Sequence, residues 1–306
     1  MTGTIETKIL NQRQLKNMRV GVIGIGAMGS GIVISLLRNH VTCFFCSGPS
    51  RLNSEHLRTA GARELETPAE LTASCDVIIL SLPKTEDVVD ICGRILGTND
   101  ASSLTTTLLI DTTTADPGRT GELSTKLASA GISYAAAPLT KGPADVRRGA
   151  ANAILGSSES TRALCRLVLS TFCEYILDVS GAQTAQRIKL INNALSMGVV
   201  ALTSEAIQAA HLHNIDIELL NQLFDRGGVK NKLSQSLIES VQENSSSKLE
   251  FRIEHAYKDL RSFLDICNNH RDFMVTVSVA NRFQDKIRQG LGHYNLYRIV
   301  NSTSER

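Results

Sequence analysis

A lysine and two amides share one stretch of apolar residues, Arg187-Ile188-Lys189-Leu190-Ile191-Asn192-Asn193-Ala194-Leu195-Ser196. From Ile188 to Ala210 the sequence reads as one helix, apolar around most of its circumference, and such a helix expects burial. Lys189, Asn192, Asn193, Ser196 and Thr203 fall at i, i+3, i+4, i+7 and i+14, a polar stripe on an apolar rod. Burying a lysine and two amides is costly unless something partners them. A salt-bridged core lysine would explain the stripe, and so would a pocket. In a pocket, an ammonium stabilises charge that grows on a substrate oxygen and donates the proton; run backwards, the neutral amine accepts it. Burial would lower its pKa toward the working range. Lys189 is thus the candidate catalytic residue, and Asn193, one turn on, would orient it or the substrate hydroxyl.

That chemistry needs a cofactor and an anion site, and the first half of the chain offers both. The apolar run Arg19–Ile23 reads as a buried parallel strand and enters Gly24-Ile25-Gly26-Ala27-Met28-Gly29, after which residues 30–38 read as a helix. Strand, GxGxxG and helix in that order form the dinucleotide fingerprint. Its glycines let the turn close and the backbone approach a pyrophosphate at the helix N-terminus. A glycine-rich turn that binds nothing is the plain alternative. The second strand, residues 41–46, ends in Cys46-Ser47-Gly48-Pro49-Ser50-Arg51, with no carboxylate before Glu55 to hold a ribose diol. Ser47, Ser50 and Arg51 could instead hold a 2′-phosphate, which favours NADP(H) over NAD(H); a polar turn indifferent to the ribose would look the same.

Two more strand ends carry candidates. Asp76-Val77-Ile78-Ile79-Leu80-Ser81-Leu82 closes at Pro83, where ligands sit in an open α/β sheet. Leu108–Asp111 leads into Thr112-Thr113-Thr114-Ala115-Asp116-Pro117, a hydroxyl cluster placed to bind an anion or to cap a helix. Leu139-Thr140-Lys141-Gly142 follows the stretch 132–138. Thr113, Thr114, Thr140, Lys141 and the Gly142 amide would hold a substrate acid group. The added cation at Lys141 favours a second anionic end on the substrate, unless it is an exposed loop lysine.

Composition bounds the rest. The 306 residues are 42% hydrophobic with a net charge of +2, enough for two domains and unlike a nucleic-acid or acidic-membrane binder. Seven cysteines without a framework point to a reducing compartment. Cys43-Phe44-Phe45-Cys46 has CxxC spacing but lies in a strand run with no second pair, so no metal is expected. The first 17 residues are polar and mixed in charge, and no apolar run is read as membrane-spanning, so a soluble, cytoplasmic protein is expected.

Strands alternate with helices to about Asp178, including short strands at 153–155 and 175–177 around a helix at 158–172. Strand signals then nearly vanish, and helical patterns follow at 216–225, 233–242, 249–268 and 271–289. The expected architecture is a Rossmann-type doubly wound α/β sheet followed by an all-helical domain. Its boundaries are an extension at 1–18, a dinucleotide-binding domain at 19–178 and a helical domain at 179–306.

These residues resemble the β-hydroxyacid dehydrogenases, the group of 3-hydroxyisobutyrate dehydrogenase and tartronate semialdehyde reductase, from about Arg19 to Val300. Gly24-Ile25-Gly26-Ala27-Met28-Gly29 has the family's GxGxMG form, and Leu82-Pro83 matches its cofactor-contacting LP. Asp111-Thr112-Thr113-Thr114 resembles its Asp-x-Ser-Thr. Lys189-Leu190-Ile191-Asn192-Asn193 resembles its KxxNN, which places the catalytic lysine on Lys189 and a substrate contact on Asn192. Lys258-Asp259-Leu260 matches a late KDL whose lysine closes over the cofactor. The resemblance implies a hydride-transferring enzyme, a 6-phosphogluconate-dehydrogenase-like second domain and a homodimer or homotetramer, for which the apolar Val199–Ala210 segment would suit. In the loop where the family has Ser-Gly-Gly, this chain has Thr140-Lys141-Gly142. That loop and the KxxNN region are most similar to 3-sulfolactaldehyde reductases, in which an arginine holds the sulfonate at the place of Lys141. Gln183 and Ala185 replace glycines that usually precede the catalytic lysine. The implied reaction joins a small anionic semialdehyde and a 3-hydroxy acid. Imine reduction on the same fold is the chemical alternative, against which Lys189 counts. A non-catalytic NADP(H)-binding regulatory protein is the other.

Overall fold

The computed structural model describes residues 13–48, 53–97, 105–245, 248–268 and 270–300. Strands β1 (Arg19–Ile23), β2 (Thr42–Cys46), β3 (Arg63–Leu65), β4 (Val77–Leu80), β5 (Leu108–Asp111) and β6 (Ser133–Ala136) run parallel in the order β3-β2-β1-β4-β5-β6. β7 (Leu139–Thr140) and β6 both pair antiparallel with β8 (Ala151–Ser157), and β9 (Cys173–Ser180) adds in parallel beyond it. Strand order reverses between β1 and β4, the switch point where open sheets of this kind bind ligands.

Among the described residues seven helices connect the strands: α1 (Ala27–Arg38), α2 (Ser54–Thr59), α3 (Pro68–Ser74), α4 (Thr85–Leu96), α5 (Pro117–Ser129), α6 (Pro143–Arg148) and α7 (Glu159–Leu169). The short α3 and α6 and the two-residue β7 were not foreseen. Both helices open on proline at their first turn, and the Thr67 hydroxyl caps α3 by accepting from the Glu70 amide. The parallel strands are apolar along both faces because helices cover both. Val20, Val22, Phe45, Val77, Ile79, Leu108 and Ile110 pack into one cluster, and Phe44, Ile78, Leu80 and Leu109 into another. Cys43 and Cys46 therefore point to opposite faces of the sheet. All seven cysteines are free thiols and six are buried.

The helical part comprises α8 (Ala182–Leu212), α9 (Ile217–Arg226), α10 (Lys232–Gln242), α11 (Ile253–Ile266) and α12 (Met274–Arg288). Leu190, Met197, Val200 and Ile207 of α8 meet Leu237, Ile253, Leu260, Phe263 and Phe283 in its core. The chain forms two compact units, one ending at Lys189 and the other beginning at Leu190. This division lies inside α8, past the expected 178/179 boundary, because the first turns of α8 put Ala185 and Ile188 into a sheet-face cluster.

Two expectations for α8 need correction. It is not buried all round, since Ile191, Leu195 and Leu202 are exposed. Its 31 residues also have the length and hydropathy of a membrane span, although half of the qualifying window is buried inside the protein. A core helix passes the same test.

Candidate active site

The dinucleotide turn is built on two close approaches. Gly24 has φ +91°, and a Cβ there would stand 2.3 Å from the Ser81 carbonyl oxygen at the end of β4. A Cβ on Gly29 would fall 1.8 Å from the Gly24 carbonyl oxygen, so α1 can lie on the turn only without a side chain at that point. Gly26 and Ala27 are exposed at the start of α1, and a Cβ on Gly26 would meet nothing within 4 Å. Open backbone at a helix N-terminus suits a pyrophosphate, and these residues fit the group. Met28 is partly buried against the sheet cluster.

At the end of β2 one member of the expected 2′-phosphate site can be followed. The Ser47 hydroxyl donates to the carboxylate of Glu64, which β3 delivers from the neighbouring strand. Arg58 of α2 pairs with the same carboxylate at 2.5 Å. The Ser47 hydrogen bond, together with the Arg58 charge and against some burial, holds the Glu64 carboxyl below its ordinary range. Asn53 ties this region to the glycine turn, its Nδ2 donating to the Ile25 carbonyl at 2.6 Å. Arg51 and Ser50, the other members of the expected 2′-phosphate site, lie outside the described residues.

Beyond β4 and β5 a set of buried bonds fixes the threonine loop. Tyr134 donates to Asp111 Oδ2 at 2.6 Å, and Asp111 Oδ1 accepts the Thr113 amide at 2.9 Å. Thr113 Oγ1 in turn accepts the Leu82 amide at 3.0 Å, which leaves its hydroxyl hydrogen to donate. The Thr112 hydroxyl is committed to the Leu80 carbonyl, 2.7 Å away. Gln186 of α8, fully buried, clamps the loop from the other side: its Nε2 donates to the Thr113 carbonyl at 2.9 Å and its Oε1 accepts the Ala115 amide at 3.0 Å. Asp116 caps α5 by accepting the Arg119 amide, so the expected capping role is present in the same loop. Thr114 is partly buried, Leu82 likewise, and Pro83 is exposed.

In the Thr140–Gly142 loop two of the expected donors already have partners. Lys141 has left-handed backbone, φ +72°, a conformation that favours glycine. Its ammonium donates to the Ala150 carbonyl at 2.7 Å and pairs with Glu174 on β9. The Gly142 amide donates to Asp145 Oδ2 at 3.2 Å, at the start of α6. Thr140 is partly buried. The sequence left Lys141 open between a substrate cation and an exposed loop lysine; here it is exposed and its charge is matched by the edge strand.

On α8, Lys189 is 8% exposed and Asn193 6%, one turn apart on the same face, whereas Asn192 is exposed. Asn193 Nδ2 donates to Asp259 Oδ2 at 2.6 Å, and Asn193 Oδ1 accepts from Asn192 at 3.2 Å. Asp259 is 2% exposed, and the Lys258 ammonium lies 3.1 Å from its other oxygen. Sequence reasoning missed Asp259 and Gln186, although the signal for Asp259 was an acid inside the Lys258-Asp259-Leu260 triplet. The two replaced glycines are accommodated: the Gln183 side chain fills the space left by the absent side chain of Gly121, and Ala185 is fully buried.

Two family profiles cover this architecture. Residues 19–181 match the NAD binding domain of 6-phosphogluconate dehydrogenase, and residues 183–301 match the NAD-binding domain of NADP-dependent 3-hydroxyisobutyrate dehydrogenase. The 2-(hydroxymethyl)glutarate dehydrogenase of Eubacterium barkeri is 23% identical over 289 residues, 93% of this chain and 94% of its own. The 3-sulfolactaldehyde reductase of Escherichia coli is 26% identical over 251 residues, 81% of this chain and 83% of its own. Among solved structures, Psf3 in complex with NADP+ and 2-OPP shares the fold with TM-score 0.81 and 21% identity, covering 92% of this chain and 98% of that one. An imine reductase variant from Myxococcus stipitatus with NAD+ shares it with TM-score 0.62 and 20% identity, covering 93% and 99%. The glycine turn, the loops beyond β4 and β5 and the family matches along both units converge: this chain belongs to the β-hydroxyacid dehydrogenase family and is a nicotinamide-dinucleotide-dependent dehydrogenase of it.

Proposed function

We propose that the protein interconverts a small anionic semialdehyde and the matching 3-hydroxy acid, with Lys189 as the general acid and base at the substrate oxygen. The observation that carries this reading is a buried lysine one turn from a buried asparagine, which a buried carboxylate fixes in place. The dinucleotide, when bound, supplies or accepts the hydride. Lys189 then meets the charge that grows on the carbonyl oxygen and gives up a proton to it. Asn193, held by Asp259, orients that exchange. The Thr113 hydroxyl hydrogen is the donor for the substrate acid group. A relative named for a hydroxymethyl-substituted glutarate and another named for a sulfonated aldehyde support an anionic substrate. Imine reduction on this fold remains the rival chemistry, and the test below separates the two.

Lys189→Ala should lower kcat by about two to four orders of magnitude on the preferred semialdehyde, the usual worth of a positioned acid–base group, with dinucleotide affinity nearly unchanged. Turnover that survives in this variant sinks the mechanism and favours imine chemistry. We further propose a homo-oligomer formed through the exposed apolar residues Ile191, Leu195 and Leu202 of α8, working in a reducing cytoplasm where its cysteines stay free. Light scattering on the purified chain that gives the monomer mass would refute the assembly.

A further inference from the structure

We propose that Glu64 is the acceptor for the adenosine-ribose hydroxyls of the dinucleotide, so that the protein selects against a 2′-phosphate. This rests on the dinucleotide reading above and departs from the NADP(H) preference that the sequence suggested. In folds of this class the ribose lies beyond the carboxyl end of β2, where an acid commonly receives it. β2 carries no acid of its own there. β3 supplies one: Glu64 sits opposite Phe45, one position short of the last residue of β2, and its carboxylate accepts the hydroxyl of Ser47 just past that end.

The place is also joined to the pyrophosphate turn. Asn53, at the start of α2, donates to the Ile25 carbonyl inside the glycine loop at 2.6 Å. The Asn53–Ile25 bond thus lies at the pyrophosphate turn and the Ser47–Glu64 bond at the end of β2. At the end of β2, chemistry decides between the two cofactors. A ribose hydroxyl is a donor that a carboxylate accepts, whereas a 2′-phosphate brings acceptor oxygens and negative charge against the same carboxylate.

Arg58 does not reverse this. It stands 2.5 Å from Glu64 and cancels one charge, so the pair offers no surplus positive charge to a phosphate. The carboxylate is also the inner partner, its side chain 17% exposed against 54% for the guanidinium. Tilted outward, Arg58 anchors Glu64 in position. A phosphate site would need the opposite arrangement, with the cation inside.

Calorimetric titration of the full-length protein with ADP-ribose and with its 2′-phosphorylated form tests this without any turnover, because neither probe carries nicotinamide. The wild type should bind ADP-ribose at least about tenfold more tightly, and Glu64→Gln should shrink that ratio to within about threefold. Glu64→Asp, which keeps the charge, should retain the wild-type preference and shows that any loss in Glu64→Gln is not general misfolding. Tighter binding of the phosphorylated probe by the wild type, or an unchanged ratio in Glu64→Gln, overturns the proposal while the dinucleotide reading stands. Binding of neither probe overturns both.

Discussion

Replacing Gln186 with methionine tests whether the start of α8 and the threonine loop act as one piece. Methionine keeps the length and much of the volume of the side chain but removes the donor to the Thr113 carbonyl at 2.9 Å and the acceptor for the Ala115 amide at 3.0 Å. Both backbone partners belong to buried residues. An unsatisfied buried polar group costs about 1–3 kcal/mol, and two neighbouring ones do not add fully, so a loss of about 3 kcal/mol is expected. For a unit of this size that lowers Tm by roughly 6–12 °C. The loop carries Thr113 and Thr114, and a displacement of about 1 Å there should cost ten- to hundredfold in kcat/KM. Thermal unfolding by far-UV circular dichroism and steady-state kinetics on the same preparation check both halves. A Gln186→Met protein that melts within about 1 °C of the wild type and keeps its kcat/KM would show that the clamp positions nothing.

Other perturbations probe the helical unit. Asp259→Leu should leave the Asn193 amide buried and unpartnered, costing about 1–3 kcal/mol of stability and lowering kcat more than it raises KM; equal stability to the wild type by urea unfolding would contradict the network. His255 of α11 responds to pH. Burial, ahead of its charged neighbours, holds its imidazole below the ordinary value of 6.5. The unfolded chain therefore takes up the proton more readily, so His255 contributes stability above pH 6.5 that is lost as pH falls through the depressed folded-state value. His255→Gln should flatten that part of the stability profile, and a slope as steep as that of the wild type just below pH 6.5 would contradict it.

Much of this architecture was readable because single residue types enforce it. Gly24 and Gly29 stand where a side chain would strike backbone, so the glycine turn announced itself. The apolar runs at 77–80 and 108–110 are buried on both faces and read as strands for that reason. What stayed hidden depends on pairing across the chain. Glu64 becomes part of the β2 end only because β3 lies beside β2, which no local pattern states. The pairing of Lys141 was hidden because its partner, Glu174, lies 33 residues away on β9. Gln186 carried no signal of its own in a helix where glutamine is an ordinary surface residue. The polar stripe on α8 was half right in the same way: Lys189 and Asn193 are buried, but Asn192 is exposed.

The buried thiols give this protein a clock for its own opening. Burial pushes Cys75, Cys92 and Cys173 up to about 12 and Cys165 up to about 11, and Cys43 higher still. At pH 8 a thiol with a pKa near 12 is ionised in only about one molecule in ten thousand, and only the thiolate reacts with alkylating reagents. Each of these positions is therefore silent while its strand or helix is closed and reactive once it opens. Cys267, half-buried at the end of α11, is placed to react first. The chain has no tryptophan, so fluorescence from that residue reports nothing. Alkylation followed by mass spectrometry would instead read the order in which the elements of the sheet unit open, one cysteine at a time.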